Sequence, residues 1–141
     1  MSNLLAVFPD RIDKLEWMSA ATKAKAKEKV AATLVGVGYP DSWRDYASLE
    51  IKPDDAFGKA VRAERAETRH QLAKLGKPVD RAEWWMNPQT VNAVNLPLQN
   101  ALNFPAAILE APFFDPKADA AANYGAIGAV IVVAVGLVMQ R

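Results

Sequence analysis

Five of the nine prolines fall between positions 88 and 116. Proline fixes φ and lacks a backbone N–H, so this stretch cannot sustain a long helix or a run of central strand. Only short elements fit here. Residues 90–94 and 102–104 are β-leaning, and a loop containing Asn and Pro separates them, so the two are expected to pair as a small hairpin. Pro105, Pro112 and Pro116 then break up any longer element.

The flanks read as helices. Residues 10–17 form a short helical segment. Ser19 is placed to cap the next helix, expected over 20–35, whose Ala and Lys content favours that state. Ala26, Val30, Leu34 and Val37 recur at helical spacing and give it an apolar stripe, and Gly36, Gly38 and Pro40 stop it. Residues 41–49 form a turn-rich connector carrying Trp43 and Tyr46. A third helix is expected over 53–75, with Pro53 in its first turn and Asp54 and Asp55 at the positive end of its dipole. Phe57, Val61, Thr68, Leu72 and Leu75 line one face, and Gly76 and Pro78 end it. Residues 119–139 contain no proline and read as a last, apolar helix, although Val130, Ile131, Val132 and Val133 disfavour it on propensity. The expected fold is mainly α, a helical lobe with a small β-hairpin near 90–104 and an apolar C-terminal helix.

Composition excludes several functions. A net charge of +1 gives no electrostatic footprint for nucleic acid. The one basic cluster, Lys23, Lys25, Lys27 and Lys29, has no interleaved aromatics and reads as a solvated helix surface. The absence of cysteine rules out disulfides, thiolate nucleophiles and cysteine-bound zinc. The N-terminus has no basic start, and Pro9 and Asp10 cut its apolar run short, so it does not read as a secretory signal. Residues 125–139 are uncharged. Their length falls short of the ~20 residues that span a bilayer, so a membrane anchor is the weaker reading of that segment.

Candidate chemistry is sparse. His70 is the only histidine, and Glu67 stands three residues before it. In di-iron bundles such a pair recurs with further carboxylates. Here it occurs once, beside Arg69, and reads as a surface or packing histidine. No nucleophile elbow accompanies it. Trp84, Trp85, Phe113 and Phe114 are expected in packing rather than ligand stacking.

Four segments carry a resemblance. They are Ile12-Asp13-Lys14-Leu15-Glu16-Trp17-Met18 with residues 22–26, then Gly38-Tyr39-Pro40-Asp41-Ser42-Trp43-Arg44-Asp45-Tyr46, then Arg81-Ala82-Glu83-Trp84-Trp85-Met86 with Pro88, and finally residues 90–131. The last includes Thr90-Val91-Asn92-Ala93-Val94-Asn95-Leu96-Pro97, Phe104-Pro105-Ala106-Ala107-Ile108-Leu109 and Asn123-Tyr124-Gly125-Ala126-Ile127-Gly128. In this order they resemble neprilysin-like zinc metalloendopeptidases, the family that includes endothelin-converting enzymes and bacterial oligopeptidases. The resemblance implies that residues 1–87 correspond to the end of the family's N-terminal helical region, and 88–141 to the start of its catalytic domain. It implies oligopeptide substrates and zinc for the intact enzyme, and a parent that is exported or membrane-associated.

It also assigns positions. Asn92 and Ala93 match the start of an exposed strand that hydrogen-bonds the substrate backbone in the family. Val94 and Asn95 depart from its aromatic residues, so substrate preference does not carry over. Outside the resemblance, Asn92 reads as a loop amide serving local backbone. The family's zinc helix follows with H-E-x-x-H, in which residues four apart share a face and the glutamate takes a proton from metal-bound water. Val133 and Leu137 stand at the two histidine positions and Ala134 at the glutamate. No metal ligand or catalytic residue is therefore expected here, and the chain reads as a truncated or sequence-shifted piece, inactive alone. A non-catalytic peptide-binding or regulatory protein is the alternative.

Overall fold

The computed structural model describes residues 2–139, with side chains described through position 136. In chain order its elements are α1 (Ser2–Asp13), α2 (Ala20–Ala31), β1 (Leu34–Gly38), α3 (Ala56–Leu72), β2 (Val94–Leu96), β3 (Ala101–Pro105), a 3-10 turn (Ala106–Ile108), α4 (Ala120–Gly125) and α5 (Ile127–Met139). The mainly helical fold with a small sheet and an apolar last helix is as expected. Two compact units emerge, residues 41–80 in one and residues 1–40 with 81–141 in the other.

The larger unit is organised on β3. The strand order is β1-β3-β2, with β1 parallel to β3 and β2 antiparallel. All five residues of β3 are buried. One face of the strand carries Leu102 and Phe104, which join Ile108, Ile127, Ala134 and Val135 in the core. Leu5 and Phe8 of α1 pack against that cluster.

Several expected boundaries move. The first helix begins at Ser2 rather than at residue 10 and runs through Pro9. Burial of Ile12 and packing of Leu5 and Phe8 outweigh the lost backbone bond. Helix α2 starts where expected, with the Ser19 hydroxyl accepting from Thr22 N at 3.2 Å. It ends at Ala31, not at residue 35. Leu34 and Val37, expected on its apolar stripe, lie on β1, where Val35 pairs with Leu102 and Val37 with Phe104. A ladder partner far along the chain overrode the helical spacing, and the β-branched valines suit it.

The hairpin forms with shifted strands. Val94, Asn95 and Leu96 pair with Asn103, Leu102 and Ala101. Residues 90–93 lie outside the strand. Residues 97–100 make the turn, and Asn100 takes φ 47, a left-handed conformation that asparagine tolerates.

The expected last helix divides at Ala126, whose ψ of −92 breaks the helical path. Asp119 caps α4 by accepting from Ala122 N at 2.7 Å. Burial of Ile127, Ala134 and Val135 stabilises α5 despite its β-branched run. Among the described residues, no helix is long and apolar enough to cross a membrane. The lysine cluster is a solvated surface: Lys25 pairs with Glu28 and Lys27 with Asp13, both at 2.8 Å.

In the smaller unit α3 is shorter than the expected 53–75. Its N-cap is Asp55, which accepts from Gly58 N at 2.9 Å, while Asp54 sits before it with φ 54. Phe57, Leu72 and Leu75, expected on a packed face, are exposed, Phe57 by 83%. Phe113 and Phe114 pack against the core as expected, but Trp85 is 76% exposed.

Candidate peptide-accepting edge and the helix beside it

Among the described residues, strand β2 bonds to β3 on one side only, so its outer side is a sheet edge. An edge strand presents N–H and C=O groups to any extended chain that reaches it. Asn92 and Ala93 lead into this edge. Asn92 N donates to Thr90 O at 3.0 Å, and Asn92 Oδ1 accepts from Ala93 N at 2.8 Å. The side chain thus serves local backbone and holds the approach to β2 in a turn. Asn92 is exposed and Ala93 half-buried against the core.

Side chains alternate across the strand. Val94 shares its face with Asn103 and Gly36, its lateral neighbours on β3 and β1. Asn95 shares the opposite face with Leu102 and Val35, the face that carries the core. Among the described residues, Asn95 Oδ1 is buried and has no hydrogen-bond partner. A buried acceptor without a donor is uncommon and costly.

Helix α5 packs against β2. Val133 is 65% exposed on it, while Ala134 and Val135 are buried. A catalytic zinc site needs three protein ligands and an open position for water. Valine at 133 and alanine at 134 carry no donor atom and no titratable group, and so do not fit the ion. The side chain of Leu137 lies outside the described residues. Among the described residues, no group of three or more His, Cys, Asp or Glu could hold a metal.

Glu67 and His70 lie on α3, in the unit of residues 41–80. The Glu67 carboxylate accepts from Gln71 Nε2 at 2.6 Å and pairs with Arg44, and these contacts hold its pKa below the ordinary carboxylate value, the Gln71 bond first. It is engaged as a surface ion pair. Arg44 also lies 5.2 Å from the ring centroid of Tyr46.

Three residues outside the expected site shape it. Gly36 lets Trp84 lie directly on β1. Asn100 donates from Nδ2 to Lys29 O at 3.1 Å and accepts at its own carbonyl from Leu34 N at 2.9 Å, so it joins α2, β1 and the β2–β3 turn. Arg81 binds the carbonyl of Gln99 at 2.7 Å and also that of Ala32. The proximity of Asn100 to Pro97 signals a turn, but no local pattern reveals contacts across such sequence separations.

Comparison with known proteins agrees with the fold. An endothelin-converting enzyme homolog of Locusta migratoria is 36% identical over 138 residues, 93% of this chain and 19% of that protein. A neutral endopeptidase of Lactobacillus helveticus is 40% identical over 131 residues, 92% of this chain and 20% of that protein. The crystal structure of a Mycobacterium tuberculosis zinc metalloprotease in complex with an inhibitor superimposes with a TM-score of 0.87 at 49% identity, covering 96% of this chain and 20% of that one. The chain spans about a fifth of the length of the curated relatives it matches. Two sequence models, both described as peptidase family M13, match residues 1–40 and 92–135. With both sequence models and the superposition in agreement, the chain belongs to peptidase family M13.

Proposed function

We propose that this chain supplies the peptide-holding edge of a zinc metalloendopeptidase and, by itself, neither retains zinc nor hydrolyses peptides. The family match supports zinc-dependent peptide hydrolysis for the intact enzyme, with oligopeptides as substrates. In family terms, residues 1–87 belong to its N-terminal helical region and 88–141 to its catalytic domain. The observation that carries the reading is the pairing of a strand edge at β2 with an adjoining helix that is aliphatic at the positions the resemblance assigns to metal binding.

An extended peptide adds to such an edge through main-chain hydrogen bonds, which hold it with little regard to side chains. Asn92 and Ala93 form the near end of this edge. When bound, zinc would polarise the scissile carbonyl and lower the pKa of a water molecule. Neither Val133 nor Ala134 can hold the ion or take up that proton.

Peptide titration followed by backbone NMR tests the binding half. Shifts centred on Asn92, Ala93 and β2 are expected, and a peptide that moves none of them ends the reading. Mass spectrometry of the same mixtures tests the other half, with intact peptide expected at every time point.

The free edge also favours a second reading, a peptide-binding or regulatory protein without catalysis. Retention of peptide by the chain when mixed with an active M13 peptidase, with a matching fall in cleavage rate, would distinguish it.

A further inference from the structure

Strand β2 is three residues long and has one neighbour, β3. Little in so short a ladder fixes its register, yet a slip of one residue would turn every side chain to the other face. Asn95 would leave the core side and Val94 would enter it. Besides the packing of α5 on β2, the turn at 97–100 is what can set the position of the edge.

That turn is fastened from outside. Arg81 Nε donates to Gln99 O at 2.7 Å, and Arg81 Nη2 donates to Ala32 O and, at 3.4 Å, to Asn100 O. One guanidinium thus grips both carbonyls at the end of the turn and that of Ala32, the C-cap of α2, at once. Gln99 Nε2 adds a bond to Glu83 O at 3.1 Å, two residues beyond Arg81. A planar fork of fixed N–H directions suits this task, because it sets angles as well as distances.

We infer that Arg81 is a positioning residue for the peptide-accepting edge: by locking the 97–100 turn to the end of α2, it fixes the register of β2 and the reach of Asn92 and Ala93. This rests on the peptide-edge reading given above. Arg81 itself touches no peptide.

The test uses the full chain, Arg81→Met and Arg81→Lys, with a capped Ala-Phe-Ala-Leu-Ala peptide as probe. Arg81→Met should weaken peptide affinity, per folded molecule, by about tenfold, because the peptide must then order a loosened edge as it binds. Amide exchange should quicken at residues 94–100 and stay unchanged along β1. Arg81→Lys should recover part of the affinity, since a single ammonium reaches fewer carbonyls. Uniformly faster exchange across the sheet with unchanged peptide affinity would reduce Arg81 to a structural strap and overturn the inference. An unmodified chain that gives no shifts with the peptide sinks the edge reading and this inference with it. Peptide binding that Arg81→Met leaves intact sinks this inference alone.

Discussion

Trp84 lies across Gly36 so closely that a methyl group on the glycine would stand 2.6 Å from the indole Cζ2. The same methyl would stand 2.7 Å from Asn103 Oδ1 on the central strand. Neither neighbour is the loose end of a flexible chain. Gly36→Ala should therefore cost about 1–3 kcal/mol, the range for overpacking a filled site. Urea denaturation measures it. In combination with Trp84→Leu the cost should fall, because the smaller side chain yields room. Equal costs in both backgrounds would show that the indole is not the obstacle.

Asn100 serves two purposes that substitutions can separate. Its backbone holds φ 47, and its amide binds the carbonyl of Lys29 near the end of α2. Asn100→Gly keeps the conformation and loses the bond, for a cost of about 1 kcal/mol. Asn100→Ala loses both, adding roughly 1 kcal/mol for an alanine held in the left-handed region. Thermal denaturation of the pair should rank glycine above alanine.

Asn95 presents the opposite case. Its buried Oδ1 has no donor, so removing the polar group should help. Asn95→Val places a β-branched residue on the strand and discards the orphan acceptor, for a gain of about 1 kcal/mol. A loss of stability on denaturation would mean that the oxygen is satisfied by water.

Acid should loosen the unit of residues 41–80. Asp55 caps α3, and its carboxyl pKa is held below the ordinary value by the Arg62 guanidinium, paired at 2.9 Å, and by the Gly58 N–H. Glu67 is lowered in the same sense by Gln71 and Arg44. A carboxyl with a depressed folded pKa stabilises fully above its unfolded value, roughly 4, and loses that contribution as pH falls through the folded value. Protection factors along α3, corrected for the intrinsic exchange rate at each pH, should therefore fall below about pH 4. Asp55→Asn retains an acceptor for Gly58 and should flatten that dependence in part, leaving the share of Glu67.

The parts of the fold legible in the sequence are those set by neighbouring residues. Ser19 before an Ala/Lys run announced the start of α2, and the prolines after residue 88 announced short elements. What stayed hidden depends on distant partners. Val35, Gly36 and Val37 read as the end of a helix, because the strand that pairs with them begins at Ala101. The first helix read as starting at residue 10, because the core that Leu5 and Phe8 meet is assembled from the other end of the chain. Of the candidate site, Asn92 and Ala93 were named through family resemblance alone. The fastening of the edge by Arg81 and Asn100 was not, since those bonds run to backbone carbonyls, which every residue possesses.

Zinc uptake by the purified chain tests the central claim most directly. Positions 133 and 137 are one helical turn apart, so Val133→His with Leu137→His provides a positive control in which two imidazoles share a face. Equilibrium dialysis against zinc, followed by an oligopeptide digest with and without chelator, should give no stoichiometric metal and no cleavage for the unmodified chain, and measurable uptake for the double variant. One zinc per unmodified chain together with cleavage that a chelator abolishes would contradict the account.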